Sequence, residues 1–345
     1  MTIPRLFRNL AYATTALTFV LMIVGGVVRI SDSGLGCGPA GSGTDGWPLC
    51  GGRLIPGVDT NMLVEYGHRA LAGITTVLLV SLVVMSVLYF RSRPWILRVA
   101  GVALAMLLGQ AVLGALTVEH GLTPALVAAH LGVAMLTLAL LLVLSRLASQ
   151  ACNGGRSERL RAAAPLRIVS VLALAAVLAT IVAGGYMASH DLRGSDPKQA
   201  RSEALDAHMA CGKQFPACND AFLPFGESKA VDIHLTHRVF MYMSVLLIVA
   251  LLVLVLRQRS RMEPESSRAL TRWVTTVVGV LLLQVLLGAL NVWLGEQEWL
   301  IVVHLTAGTL LWSALVMFCA NAFGLQLPEP AAAKRRDRPA EAVPA

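Results

Sequence analysis

Four histidines offer the most direct chemistry in this chain. His68, His130, His237 and His304 each sit near one end of a long apolar stretch. They form two pairs, and the surroundings of one pair recur around the other. Gln110-x3-Gly114-Ala115-Leu116 followed by His130 returns as Gln284-x3-Gly288-Ala289-Leu290 followed by His304, displaced by 174 residues. His68-Arg69 returns as His237-Arg238 after 169 residues, and Gly25-Gly26 returns as Gly184-Gly185 after 159. An imidazole in apolar surroundings is a buried hydrogen-bonding group, a proton carrier or a metal ligand. Zinc draws three or four ligands onto one atom, commonly with Cys or carboxylate. A proton relay needs a file of buried Asp and Glu, which these stretches lack. Two matched pairs suit iron held axially between two imidazoles, as in a haem inside a helical bundle.

The elements that position these groups are membrane helices. The chain has 345 residues, 56% hydrophobic and 14% charged, with mean hydropathy +0.69. Soluble domains are about 25% charged, so the composition predicts an all-α integral membrane protein. Eight stretches are long enough to cross a bilayer core, which takes about 20 apolar residues. They run over 10–28, 67–90, 97–118, 124–145, 167–187, 233–256, 273–294 and 299–323. The first is too long for a signal-peptide core and is followed by no clear cleavage site. With the N-terminus inside, most of the 28 basic residues fall on the cytoplasmic side, which predicts cytoplasmic termini for a multi-pass protein of the cell's inner (plasma) membrane. The net charge of +8 then reflects that bias and contact with anionic membrane lipid, not nucleic acid.

Long outer loops at 29–66 and 188–232 alternate with tight turns at Glu119–Thr123 and Gly295–Glu298. Each half therefore holds four spans, and an axis along the membrane normal should relate the halves. The expected divisions are an N-terminal half at 1–150, a C-terminal half at 151–327 and a disordered cytoplasmic tail at 328–345, with the seam in Leu147–Leu166. Loop one is rich in Gly and Pro and should be irregular. In loop three, Pro197–Ala210 has helical spacing and predicts a short surface helix. Gly109, Gly114 and Gly288 allow close helix packing, within one chain or between copies in a homo-oligomer.

His130 lies about six residues inside its span and His304 about five, which at about 1.5 Å per residue puts both roughly 7–9 Å deep. His68 and His237 open their spans at similar or shallower depth. Arg69 and Arg238 each follow a candidate ligand. A neighbour at i+1 points about 100° away, so each guanidinium leaves the iron face. It can then hold a haem propionate or reach the outer headgroups. Arg29, closing the first span, is a third candidate for that contact. Glu65 stands three residues before His68 on the same helix face, and the matching position in the second half is His234. Glu65 is either an acid beside the first iron site or a favourable charge in a first helical turn. His234 reads as a polar interface residue.

Gly25-Gly26-Val27-Val28-Arg29, Ser33-Gly34-Leu35-Gly36-Cys37, Trp47-Pro48-Leu49-Cys50 and Glu65-x2-His68-Arg69, in that order and with the duplication, resemble the haem A synthase family of cytochrome oxidase assembly proteins. The resemblance runs from the first span to the eighth. It implies two pseudo-symmetric four-helix bundles of transmembrane helices. It implies oxidation of a methyl group of haem O, through an alcohol, to the formyl group of haem A. His68 and His130 would flank the substrate haem O, His237 and His304 would ligate a resident haem b, and Glu65 would assist at the substrate site. A haem O synthase as haem donor and other cytochrome oxidase assembly factors are the implied partners. The electron donor is not visible in the sequence. One departure from the family pattern is the wider gap between Cys37 and Cys50, filled by Gly38–Gly46.

Cys37 and Cys50 share one outer loop, and Cys211 and Cys218 share the other. Outside the cell each pair is expected to form a disulfide, bracing its loop or exchanging with a thiol. Cys152 and Cys319 fall on the inner side as reduced thiols. Two rival readings use the same residues. One is a two-haem bis-histidine membrane cytochrome that only carries electrons and gives Glu65 no task. The other is a disulfide-exchange protein centred on the loop cysteines.

Overall fold

The computed structural model describes residues 3–152, 162–190, 206–295 and 297–325. Eight helices in it are long and apolar enough to cross a membrane. They are α1 (Ile3–Ile30), α2 (Thr60–Tyr89), α3 (Pro94–Glu119), α4 (Pro124–Cys152), α5 (Ala164–Ala188), α6 (Lys229–Gln258), α7 (Pro264–Leu294) and α8 (Glu298–Ala322). Among the described residues there are no strands beyond two isolated bridges, Cys50–Arg53 and Cys218–Ala221. Loop one contains only a short 3₁₀ turn at Gly43–Asp45. The expected helix at Pro197–Ala210 lies mostly outside the described residues, as do 153–161 of the seam and the tail from 326 on.

Several helices outrun their apolar spans. α2 and α6 start seven and four residues earlier than hydropathy predicts, because capping side chains start them. Asp59 accepts from the Met62 amide at 3.1 Å, and Ser228 accepts from the Val231 amide at 3.2 Å. His68 and His237 therefore stand two turns inside their helices instead of opening them. α7 stops at Gly295, whose φ of 71° suits the left-handed C-cap that glycine tolerates.

In the first half, α1 packs on α2, α2 on α3, α3 on α4 and α4 back on α1. In the second half, α5–α6, α6–α7, α7–α8 and α8–α5 make the same closed ring. The halves meet through α4 with α5, α1 with α8, and α4 with α8. Trp312 Nε1 on α8 donates to the Met135 carbonyl of α4 at 2.8 Å, a buried polar tie across that seam. At one end of the bundle, Arg146 donates to Asn321 and to the Leu325 carbonyl, and the Ala162 amide donates to the Ala322 carbonyl. The end of α4, the start of α5 and the end of α8 therefore share one face.

Both apolar cores fill that same end. The first gathers Phe7, Leu79, Leu82, Ile96, Leu107, Leu141 and Leu144. The second gathers Leu166, Val177, Ile248, Leu251, Val274, Leu281, Leu311 and Phe318. On the helices that carry a candidate ligand, the core of the same half begins about two to three turns from the histidine, at Leu79, Leu141, Ile248 and Leu311, while Met135 of the second core comes closer to His130. Dense packing resists insertion of a large planar group. The opposite end of each ring is therefore where such a group would fit.

Candidate functional site

The ring order puts α2 and α4 at opposite corners of the first half, and α6 and α8 at opposite corners of the second. His68 and His130 thus come from diagonal helices, and so do His237 and His304. The members of each pair lie within electrostatic reach of each other. Their backing comes from the other diagonal. A Cβ built on Gly25 of α1 would fall 3.0 Å from His68 Cε1, and one on Gly114 of α3 would fall 3.4 Å from His130 Cε1. In the second half, the distances are 2.9 Å from Gly184 of α5 to His237 Cε1 and 3.1 Å from Gly288 of α7 to His304 Cε1. All four imidazoles lie edge-on against a glycine of the adjacent helix. Gly114 and Gly288 therefore make room for a ring, not for a second helix backbone. Gly109, the third small residue singled out, has open space beside it.

The ring nitrogens bear on whether these residues suit an iron porphyrin. His237 Nδ1 lies 2.9 Å from the Thr180 carbonyl. That bond puts the proton on Nδ1 and leaves the Nε2 lone pair free to ligate, as metal-bound histidines do. Leu21, at the matching place on α1, presents its carbonyl to His68. Buried Nδ1 atoms of His68, His130 and His304 have no hydrogen-bond partner. Native proteins seldom leave buried polar atoms this way, and an iron held at Nε2 leaves these Nδ1 atoms as they are. Among the described residues no three His, Cys, Asp or Glu side chains converge as a metal site. Two opposed imidazoles per half fit haem.

The structure also places the flanking charges. Arg69 donates through Nη1 to the Gly46 and Leu49 carbonyls at 2.6 and 3.0 Å, and through Nη2 to Glu65 Oε1. Glu65 is buried, and its Oε2 accepts from the Cys37 amide at 2.8 Å. Arg238 donates to the Gln214, Pro216 and Ala217 carbonyls and lies over the Phe215 ring. Each arginine fastens the disulfide loop above its own half. Arg29 instead reaches across to the Ala188 carbonyl at the end of α5, at 2.8 Å. His234, in the place of Glu65, is buried with Nδ1 2.9 Å from the Ala207 carbonyl.

Cys37–Cys50 and Cys211–Cys218 are disulfide-bonded. Cys152 and Cys319 are free, and the Cys319 thiol donates to the Ser170 carbonyl.

Two features escape the sequence reading. Trp47-Pro48-Leu49-Cys50 and Phe215-Pro216-Ala217-Cys218 form a repeat displaced by 168 residues, close to the 169 of His-Arg. The register matches the carbonyls that Arg69 and Arg238 hold, and an aromatic-Pro-x-Cys comparison would have found it. His208 of the second loop lies within electrostatic reach of His234, His237 and His304. No counterpart in the first loop signals it.

Residues 8–316 match the sequence model of a family described as Cytochrome oxidase assembly protein. Among similar curated proteins named Heme A synthase, that of Exiguobacterium sibiricum is 36% identical over 142 residues, covering 40% of this chain and 46% of the relative. That stretch is less than half of the relative's length. The protein of Shouchella clausii is 26% identical over 250 residues, 72% of this chain and 74% of the relative. That of Halalkalibacterium halodurans is 28% identical over 253 residues, 70% and 73%.

Proposed function

The chain belongs to the haem A synthase family of cytochrome oxidase assembly proteins, and from that premise we propose that it oxidises the haem O methyl group to the formyl group of haem A. The observation that carries this reading is the glycine-backed imidazole pair on diagonal helices, present once in each half. Residues 1–150 would take the substrate haem between His68 and His130. Residues 151–327 would keep haem b between His237 and His304. Haem b held there would supply one-electron transfer to or from the substrate site, where the four-electron oxidation of the methyl group draws on an external oxidant. The fixed imidazoles orient the substrate's planar face, and Arg69 and Arg238 hold the outer loops down against water.

Glu65 distinguishes the substrate half. Its two oxygens each take one protein donor, and a carboxylate oxygen has a second lone pair. Oε2 can therefore hold a water or accept a proton one helical turn before His68 while the carboxylate itself stays fixed. The protein would work in the inner (plasma) membrane with both termini in the cytoplasm. It would receive haem O from a haem O synthase and pass haem A to other oxidase assembly factors.

The test is to co-express the full chain with a haem O synthase and extract the haems. Formyl-bearing haem A should accumulate. Glu65→Gln and His68→Ala should lower it by about a hundredfold or more, a range typical of lost acid–base or positioning groups, with haem b content unchanged. Haem b in both sites, and no haem A from the unaltered chain, would mark an electron carrier instead.

A further inference from the structure

Gln110 and Gln284 occupy the same place in the repeat, one turn before the glycine that backs an imidazole, yet they make different bonds. Gln284 Nε2 lies 3.1 Å from Nε2 of His304. An amide NH₂ can only donate, so that contact makes Nε2 of the imidazole an acceptor and places the ring proton on Nδ1. Gln110 Nε2 instead donates to the His130 backbone carbonyl at 2.8 Å and leaves the imidazole alone. The two sites also differ one helical turn past each histidine. A Cβ built on Gly308 would fall 3.1 Å from Gln284 Nε2, tighter than ordinary van der Waals contact. The amide lies on α8 in space that only glycine leaves open. The residue 174 positions earlier is Ala134. A methyl group therefore stands there in place of the hydrogen of Gly308.

We propose that Gln284, seated on Gly308, is a latch on the second iron site. The inference rests on the reading of His304 as a haem b ligand. Gln284 satisfies the buried Nε2 of His304 and fixes the ligand-ready tautomer. Iron and the amide need the same lone pair, so the latch must release when haem b is ligated. A bond present only without haem stabilises the haem-free chain and lowers haem affinity by the same factor. The first half, with Ala134, has no latch. Its substrate therefore meets an imidazole already free to bind, as befits a group that must come and go at each turnover. Gln284 is a positioning residue, acting through His304.

The test is an absorption titration of full-length, haem-depleted protein in lipid nanodiscs with haem b. His130→Ala is present throughout, so that only the second site gives the bis-imidazole spectrum. On this background Gln284→Leu should bind haem b about fivefold more tightly, the equivalent of one typical hydrogen bond. Its haem-free form should melt at lower temperature. Gly308→Ala should shift both readouts the same way, and Gln110→Leu, which loses only its bond to a backbone carbonyl, should leave haem b affinity unchanged. Unchanged or weaker binding by Gln284→Leu, beside a normal spectrum from the parent, overturns the latch alone. Absence of any bis-imidazole spectrum from the parent overturns the haem b site and the latch together.

Discussion

The two outer ends are built to one plan and finished differently. Above His68, a carboxylate links the disulfide loop to its arginine, since Glu65 accepts from both Cys37 and Arg69. Above His237, the His234 imidazole holds the loop at Ala207 while Arg238 bonds to carbonyls and lies over Phe215. The first loop closes over thirteen residues of separation and the second over seven. A small apolar cluster of Leu287, Leu300 and Ala307 also packs near His304. The shared parts, glycine-backed imidazoles and arginine-fastened loops, are what a planar iron group needs from either half. On the proposed function, the differing parts would concern protons in the first half and retention in the second. Duplication supplies a binding frame, and a few substituted positions divide the labour.

Within the shared glycine backing, the tightest and the loosest positions, Gly184 and Gly114, should show the largest contrast. Gly184 leaves 2.9 and 3.1 Å to His237 atoms, whereas Gly114 leaves 3.4 Å to His130. Gly184→Ala should displace His237 and reduce haem b retained through purification by about tenfold or more, since a ring forced off its rotamer and off iron loses well over 1 kcal/mol. Gly114→Ala should leave retained haem b unchanged and lower haem A yield by no more than about twofold. Equal losses from both substitutions would show that the pairs are not held differently.

The arginines should come next. Arg69→Gln leaves Glu65 buried without its cation, and breaking a buried pair in this way costs about 3–5 kcal/mol. Arg238→Gln removes hydrogen bonds to carbonyls and strands no opposite charge, so its cost should be smaller, about 1–3 kcal/mol. Thermal melting in detergent should rank Arg69→Gln below Arg238→Gln. Restoring neutrality with Glu65→Gln in the Arg69→Gln background should recover part of the loss. The reverse ranking would deny the ion pair its role in the first half.

The disulfides should separate the halves least. Chain-entropy arithmetic gives about 3 kcal/mol for the longer loop and only about 0.5 kcal/mol less for the shorter. Cys37→Ser with Cys50→Ser, and Cys211→Ser with Cys218→Ser, should lower the melting temperature by similar amounts while leaving haem b bound. Loss of haem b from either double variant would make the loop a ligand support and not a brace.

Much of this was legible in the sequence. Hydropathy marks eight spans because the bilayer requires long apolar runs, and the repeats mark four histidines because both halves keep them at matching positions. Less was legible about helix starts, since Asp59 and Ser228 extend α2 and α6 beyond the apolar stretch. That Gly25, Gly114, Gly184 and Gly288 lie under imidazoles depends on which helices are neighbours, a property of packing that no spacing within one helix reveals. Arg69 and Arg238 were read as propionate or headgroup partners. Their loop carbonyls lie about twenty residues away in sequence, beyond the reach of local periodicity. His208 had no repeat partner to draw attention to it.

The most direct measurement is an absorption spectrum with pyridine haemochrome analysis of the purified full-length protein from haem-replete cells. The account predicts a bis-imidazole low-spin spectrum with haem b, retained in His68→Ala and lost in His237→Ala. A folded but colourless protein, or haem b that survives loss of both His237 and His304, would contradict it.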